Sequence, residues 1–209
     1  MTETLDPEVR MGKRARAKEA NRRAILDAAR VVFARIGYEA TNIRDIIRET
    51  DLASGTFYNY FKSKEEVFEA LANDSVARFR PLLQKVREEA KDLESYLYAA
   101  FGSYFTFLAE ENDDAIQGGA PHMSLIGVRV DTPEMQTVSE EISADLEIVM
   151  DKIGLGHLDI DYITAAAIGM AREMGEHMLK RRPVDPKTAT EFAAKVTLAG
   201  IEELAKSSH

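Results

Sequence analysis

The stretch of residues 41–71, TNIRDIIRETDLASGTFYNYFKSKEEVFEAL, constrains the fold of this chain more than any other part of it. It predicts two short helices that are separated by a tight turn. Asn42 is a favourable N-cap, and Asp45 places a carboxylate in the first turn of the first helix. Asp51 stands where the turn is needed. The apolar residues of the first helix recur at helical spacing, namely Ile43, Ile46 and Ile47.

The second helix of the pair opens with small residues and continues with aromatic ones. Residues 54–56, Ser-Gly-Thr, let a backbone approach an anion closely, and Ser54 can supply the N-cap. Phe57 and Phe61 are four residues apart and are expected to turn inward. Residues 58–60 are then left on or near the outward face of this helix.

Further helices are predicted on both sides of this pair. Downstream, Ser63 and Glu66 match a capping box. Upstream, residues 22–37 form an amphipathic helix that ends at Gly37. The apolar face of that helix consists of Ile25, Ala28, Ala29, Val32, Phe33 and Ile36. Three helices with a tight turn between the last two are typical of a helix-turn-helix, which places its second helix in the DNA major groove.

Residues 21–71 resemble the DNA-binding domain of TetR-type (TetR/AcrR) transcriptional regulators. The resemblance rests on Ile-Gly-Tyr-Glu-Ala-Thr at 36–41, Gly-Thr-Phe-Tyr-Asn-Tyr-Phe at 55–61 and Lys-Ser-Lys-Glu-Glu at 62–66. Asp51 stands where the family usually has Gly, and Ala53 where it often has a capping Ser. The resemblance implies an all-α chain, with an N-terminal three-helix helix-turn-helix domain and a larger C-terminal helical domain for ligand binding and dimerisation.

Charge is distributed unevenly along the chain. Residues 1–62 hold 12 basic and 9 acidic side chains, whereas the remainder holds 15 and 27. We expect a basic arm over residues 1–20, in which Arg14 and Arg16 reach phosphates or the minor groove. A solvated tail is the alternative for this segment. The helix-turn-helix domain is expected over residues 21–67 and the effector-binding and dimerisation domain over residues 68–209.

The expected DNA contacts fall into two groups. Phosphate contacts are assigned to Thr56, Tyr58, Tyr60 and Lys64, with Gly55 allowing close approach of the backbone. Base-edge contacts are assigned to Arg44, Ser54 and Asn59, because Arg favours guanine and Asn favours adenine.

The rest of the chain is predicted to be helical, with a loop at residues 112–122. Predicted helices cover residues 63–90, as one helix or as a pair divided at Pro81, then 92–110, 123–129, 132–153, 159–181 and 186–205. In the resembled family the last two long helices form a four-helix bundle between subunits. The residues expected at that dimer interface are Ala167, Ala171, Phe192, Val196 and Ala199.

The middle helices are expected to enclose a ligand pocket. Six of the eight methionines lie between Met123 and Met178, and methionine adapts to irregular apolar shapes. The alternative for each of these residues is ordinary core packing. The candidate ligand-binding residues are Phe101, Tyr104, Phe105, Leu108, Met123, Met170, Met174 and His177.

Other functional classes find little support in the sequence. The four histidines are scattered, there is no cysteine, and no phosphate loop, zinc motif or nucleophile elbow occurs. We therefore expect no catalytic residues, metal or cofactor. There is no apolar signal segment and no run long enough to span a membrane.

Together these features predict a cytoplasmic homodimer that binds a palindromic operator in double-stranded DNA and is released by a small, lipophilic effector. The alternative is a helical protein that senses a ligand or a partner and whose DNA binding is nonspecific or lost.

Overall fold

The computed structural model describes residues 7–113 and 132–207, which fold into eight α-helices with no strand among them. These helices are α1 (Pro7–Ile36), α2 (Ile43–Arg48), α3 (Ser54–Phe57), α4 (Lys64–Glu89), α5 (Leu93–Glu111), α6 (Pro133–Lys152), α7 (Ile160–Lys180) and α8 (Pro186–Ser207). The all-α prediction is confirmed. After Leu71 the chain divides into two compact units, which we call the N-terminal and C-terminal units.

Several helix ends lie where the sequence signals predict them. Asn42 accepts a hydrogen bond from the Asp45 amide at 3.2 Å, and the Asp45 carboxylate accepts one from the Asn42 amide at 3.0 Å. Thr132 caps α6 and Asp159 caps α7 in the same way, each through its side chain. Gly37 ends α1 with a φ of 82°, a conformation that glycine adopts without strain.

The first helix is longer than the sequence predicts, and the fourth is one helix rather than a pair. The first begins at Pro7 rather than near residue 22, because the intervening Ala, Arg, Lys and Glu residues are strong helix formers. Residues that were assigned to an arm therefore belong to α1. The fourth helix continues through Pro81 without interruption. Phe79 and Leu83 on either side of that proline are buried, and their packing offsets the lost backbone hydrogen bond.

Three further expectations need correction or lie outside the described residues. Ser54 is the first residue of α3, and its N-cap is Ala53, which makes no side-chain capping bond. Ile36 was placed on the apolar face of α1 but is 42% exposed, since the helix ends there. The helix predicted over 123–129, with Met123, lies outside the part of the chain that the structure describes.

The N-terminal unit has its own apolar core. Each of its four helices contributes at least one side chain that is at most 1% exposed: Ile25, Val32, Phe33, Ile46, Phe57, Val67 and Phe68. Burial of one such side chain contributes about 1.5–3 kcal/mol. This core fixes how α2 and α3 are presented, because both helices are too short to be stable alone.

The C-terminal unit is built around α5, which packs against α7 and α8. Gly175 of α7 lies against α5 so closely that a Cβ there would be 2.5 Å from Leu108 Cδ1. The helices α6 and α7 are joined by a short connection and pack against each other, so they run antiparallel.

Candidate DNA-binding surface and effector cavity

The turn between α1 and α2 is held by one lysine at the start of α4. Lys64 Nζ donates hydrogen bonds to the carbonyl oxygens of Tyr38 at 3.0 Å, Glu39 at 3.2 Å and Thr41 at 3.0 Å. The same ammonium lies 4.6 Å from the centre of the Tyr38 ring. An ammonium has three donors, and all three are used here. Lys64 therefore ties the turn before α2 to α4.

This geometry corrects one expectation from the sequence. Lys64 was assigned a phosphate contact, but its donors point at backbone carbonyls within the N-terminal unit. Contact with a phosphate requires at least one of these hydrogen bonds to break. The role that the structure supports for Lys64 is to position the helix-turn-helix.

The helix α3 and the turn after it are anchored to α1. Phe57 and Phe61 are 1% and 5% exposed, as predicted, with ring centres 6.2 Å apart. The Arg22 guanidinium lies 5.5 Å from the Phe61 ring centre, a cation–π contact. Asn21 donates a hydrogen bond to the Tyr60 hydroxyl at 3.3 Å. The Tyr60 oxygen is thus held in place while its own O–H stays able to donate.

Inward rotation of Phe57 leaves a polar surface on the opposite side of α3. Five of the predicted DNA-binding residues in the segment 44–59 are exposed, and Tyr58 among them is 57% exposed. The other four are Arg44, Ser54, Gly55 and Asn59, while Thr56 and Tyr60 are partly buried. Arg14 and Arg16 are exposed as well, but on α1 and not on an arm.

The C-terminal unit contains a cavity of about 520 Å³ between α4, α5, α6 and α7. Ligand pockets for small molecules typically have 300–1,000 Å³. Its lining is mainly apolar and comprises Val76, Phe79, Leu83, Tyr96, Leu97, Ala100, Phe101, Tyr104, Met135, Gln136, Val138, Ser139, Ile142, Leu146, Ala167, Ile168, Ala171 and Arg172.

Only some of the predicted ligand-binding residues line this cavity. Phe101 and Tyr104 do, because they lie on the cavity side of α5. Phe105 and Leu108, on another side of the same helix, are fully buried core residues instead. The remaining candidates within the described chain, Met170, Met174 and His177, are not among the lining residues.

The sequence analysis missed the contribution of α4 to the cavity. Val76, Phe79 and Leu83 follow helical spacing and form one wall. That stripe was visible in the sequence, but it could equally have been a filled core. The polar lining residues Gln136, Ser139 and Arg172 were also missed, because nothing in the sequence places α6 opposite α7.

The predicted dimer residues divide between two surfaces. Ala167 and Ala171 line the cavity, and their place at a subunit interface stays a prediction. On α8, Phe192 is 61% exposed and Val196 is 43% exposed, and Ala199 is exposed beside them. An apolar stripe of this kind on a long helix is typical of an interaction surface.

A buried carboxylate joins three helices beside the cavity. Asp145 of α6 accepts a hydrogen bond from Arg87 of α4 and one, at 3.5 Å, from the hydroxyl of Tyr96 of α5. Burial raises the pKa of Tyr96 above its usual value, and the negative charge of Asp145 raises it further. Because Tyr96 also lines the cavity, this cluster connects the cavity wall to α4.

The described ranges contain neither a membrane-spanning helix nor a cluster of metal-binding side chains. No helix among residues 7–113 and 132–207 is long and apolar enough to cross a membrane. The same residues contain no group of three or more His, Cys, Asp or Glu side chains that could hold a metal ion.

Comparison with known proteins identifies the N-terminal unit. Residues 25–71 match the family model for bacterial regulatory proteins of the tetR family. An uncharacterised HTH-type transcriptional regulator of Bacillus subtilis, YdgC, is 24% identical over 190 residues, which cover 87% of this chain and 92% of that protein.

Solved structures show the same fold over most of the chain. The fatty acid degradation regulator FadR from Bacillus halodurans has a TM-score of 0.67 at 22% identity, covering 86% of this chain and 95% of its own. FadR from Bacillus subtilis in complex with stearoyl-CoA has a TM-score of 0.66 at 20% identity, with coverages of 85% and 97%. The helix-turn-helix segment thus matches that of the TetR family of bacterial regulatory proteins, and most of the chain has the fold of solved regulators of this kind.

Proposed function

We propose that this protein is a cytoplasmic, dimeric repressor that binds a palindromic operator and is released by a lipophilic effector. The proposal of a lipophilic effector is supported by the cavity of about 520 Å³, whose lining is mainly apolar. A helical domain without a ligand would be expected to fill such a space with side chains. Two proteins of similar fold support the same class of effector, namely the fatty acid degradation regulator of Bacillus halodurans and the Bacillus subtilis FadR in complex with stearoyl-CoA.

The proposed base contacts are made by Arg44, Ser54 and Asn59, which are exposed on the N-terminal unit. Arg44 is suited to guanine and Asn59 to adenine. Thr56, Tyr58 and Tyr60 are proposed to contact phosphates, with Gly55 allowing the backbone to approach. Arg14 and Arg16 on α1 add positive charge that contributes to binding of any DNA sequence.

Dimerisation is proposed to use the exposed apolar side of α8, on which Phe192, Val196 and Ala199 lie. A two-fold dimer presents the same surface of each subunit to the other. Two-fold symmetry would set the recognition helices about 34–36 Å apart, one turn of DNA, which is why a palindrome is proposed.

The proposed effector response runs through α4. The first turns of this helix carry Lys64, Val67 and Phe68, which belong to the N-terminal unit, and its later turns line the cavity. We propose two states of the protein that differ in the position of α4, only one of which binds the operator well. An effector that binds the other state more tightly lowers the affinity for the operator, and the factor is at most the ratio of the effector's affinities for the two states.

The test begins with selection of genomic DNA by the purified protein at near-physiological salt. A palindromic motif is expected. Binding of the selected site and of a scrambled site is then compared for wild type, Arg44→Ala and Asn59→Ala. Each substitution should cost about 1–3 kcal/mol on the selected site only and relax the preference at one position.

The alternative is that the chain binds DNA without sequence preference, or no longer binds it and senses only a ligand or partner. Enrichment without a motif, and equal affinity for selected and scrambled DNA, would establish the first. Absence of binding to any DNA, while the cavity still takes up a lipophile, would establish the second.

A further inference from the structure

The polar lining residues of α6 and α7 lie toward one end of the cavity. Two of its walls, α6 and α7, run antiparallel and are joined by a short connection. Residues of the two helices that are equally far from this connection therefore lie at the same level of the cavity. At about 1.5 Å per residue, Leu146 and Ala167 lie about 10 Å from the connection, whereas Ser139 and Arg172 lie about 20 Å from it. The polar lining residues of the two helices are thus at the same end.

Contacts of α5 agree with this direction. Tyr104 packs against α7 beside Gly175, less than one turn from Arg172, and a Cβ at Gly175 would be 3.3 Å from Tyr104 Cε1. Tyr96, two turns earlier on α5, instead reaches Asp145 near the other end of the cavity. One end of the cavity therefore carries Tyr104, Gln136, Ser139 and Arg172, and the other carries Leu97, Leu146 and Ala167 together with Tyr96, whose hydroxyl is directed to Asp145.

Arg172 differs from the three arginines of α4 that follow Leu71. Arg78, Arg80 and Arg87 each donate to a carboxylate of another helix, namely Glu111, Glu141 and Asp145. Among the residues that the structure describes, the carboxylate recorded beside Arg172 is that of its neighbour Glu173. It lies 3.8 Å away on a side chain that is 68% exposed, whereas Arg172 is 26% exposed.

The Arg172 side chain is largely covered, and a covered guanidinium is stabilised by a close anion. The contact to Glu173 is too long for a hydrogen bond and is weakened by solvent. Arg172 lines the cavity, and the planar donor group of an arginine is suited to a carboxylate or a phosphate. Gln136 and Ser139 add neutral donors on the facing helix.

We propose that the effector is an amphipathic anion, whose acidic group binds Arg172 while its hydrocarbon chain extends toward Leu97 and Leu146. This rests on the proposed function, in that a lipophile occupies the cavity. The acidic group is the carboxylate of a free fatty acid or a phosphate of an acyl thioester. A neutral lipid of the same chain length would lack the contact that orients it.

The test measures binding of palmitate, palmitoyl-CoA and the neutral hexadecanol by displacement of a fluorescent lipophilic probe, without DNA. Wild type and Arg172→Gln are compared, with Arg172→Lys to restore charge and Lys180→Gln as the control. Lys180 is a cation of the same helix that is 66% exposed and does not line the cavity. Circular dichroism establishes that each variant is folded.

Arg172→Gln should weaken one of the two anions at least about tenfold and leave hexadecanol within about twofold. Arg172→Lys should recover part of the loss, and Lys180→Gln should resemble wild type. The anion that responds identifies the acidic group. Equal losses for all three probes, or none, would overturn the role of Arg172 while leaving a lipophilic effector intact. Failure of wild type to bind any probe would overturn both proposals.

Discussion

Arg87 Nε lies 2.5 Å from Asp145 Oδ1, and this ion pair joins α4 to α6 at the edge of the cavity. The Asp145 side chain is only 6% exposed, whereas that of Arg87 is 45% exposed. The hydrogen bond to Asp145 raises the pKa of Arg87, which favours the charged guanidinium. Asp145 thus depends on Arg87 for most of its charge compensation.

Arg87→Met should destabilise the protein by about 2 kcal/mol, because it leaves a buried carboxylate without its cation. The expected loss of stability is smaller than that for breaking a fully buried ion pair, because Arg87 is partly solvated. Arg80→Met is the matched control, because Arg80 joins the same two helices through Glu141, which is more exposed. Its cost in denaturant unfolding should be clearly smaller. Equal costs for the two variants would contradict a special role for Asp145.

Tyr96 should make stability depend on pH in the alkaline range. Its folded pKa is raised by burial and by Asp145, so the neutral phenol is favoured in the folded state. The stabilising contribution is complete below the unfolded pKa of about 10 and is lost as pH rises toward the folded pKa. Tyr96→Phe should flatten the fall in stability above pH 10. An unchanged slope in that variant would assign the effect to other groups.

Lys64→Met separates a positioning role from direct phosphate binding. If Lys64 holds the turn, the variant should lose about 1–3 kcal/mol of stability, because three carbonyls lose a charged donor. The salt dependence of DNA binding should stay the same. A salt slope that falls by about 1 with unchanged stability would instead show a phosphate contact. Lys62→Met, which removes an exposed charge nearby, is the control for stability.

Gly175→Ala should destabilise the C-terminal unit by about 1–3 kcal/mol through overpacking. The added methyl would meet Leu108, which is fully buried and cannot move aside without disturbing the core. Gly102→Ala, on α5, meets only Thr190 at ordinary contact distance. That control should instead gain up to about 1 kcal/mol from helix propensity. Equal effects of the two substitutions in thermal unfolding would contradict this account.

Phe192→Asp should convert the proposed dimer into monomers, because it places a charge in the apolar stripe of α8. Sedimentation should show at least a tenfold weaker self-association, with weaker operator binding as the consequence. Ile148→Asp is the control, since Ile148 is a similarly exposed apolar residue, 53%, on α6. If Ile148→Asp also produced monomers, the interface would have to extend to α6 or lie there.

The sequence by itself determined the local features of this protein. Such features depend on residues within one or two helical turns of each other, because the side chains there set the local backbone conformation. Examples are the cap at Asn42, the helix end at Gly37 and the inward-facing pair Phe57 and Phe61. The motif at 36–66 also indicated the resemblance to TetR-type regulators, which the match of residues 25–71 to the family model supports. These features required no knowledge of what lies opposite each helix.

The tertiary structure decided which side of each long helix meets a partner. Periodicity finds an apolar stripe, but Phe101 lines a cavity while Phe105 fills the core, and only the packing of neighbouring helices separates them. Lys64 could be seen as a cation in the sequence, yet its carbonyl partners lie more than 20 residues away. The side of a helix that packs and the partners of a side chain both depend on contacts between residues far apart in the sequence. These contacts form only when the helices pack together, so the sequence of one helix does not reveal them.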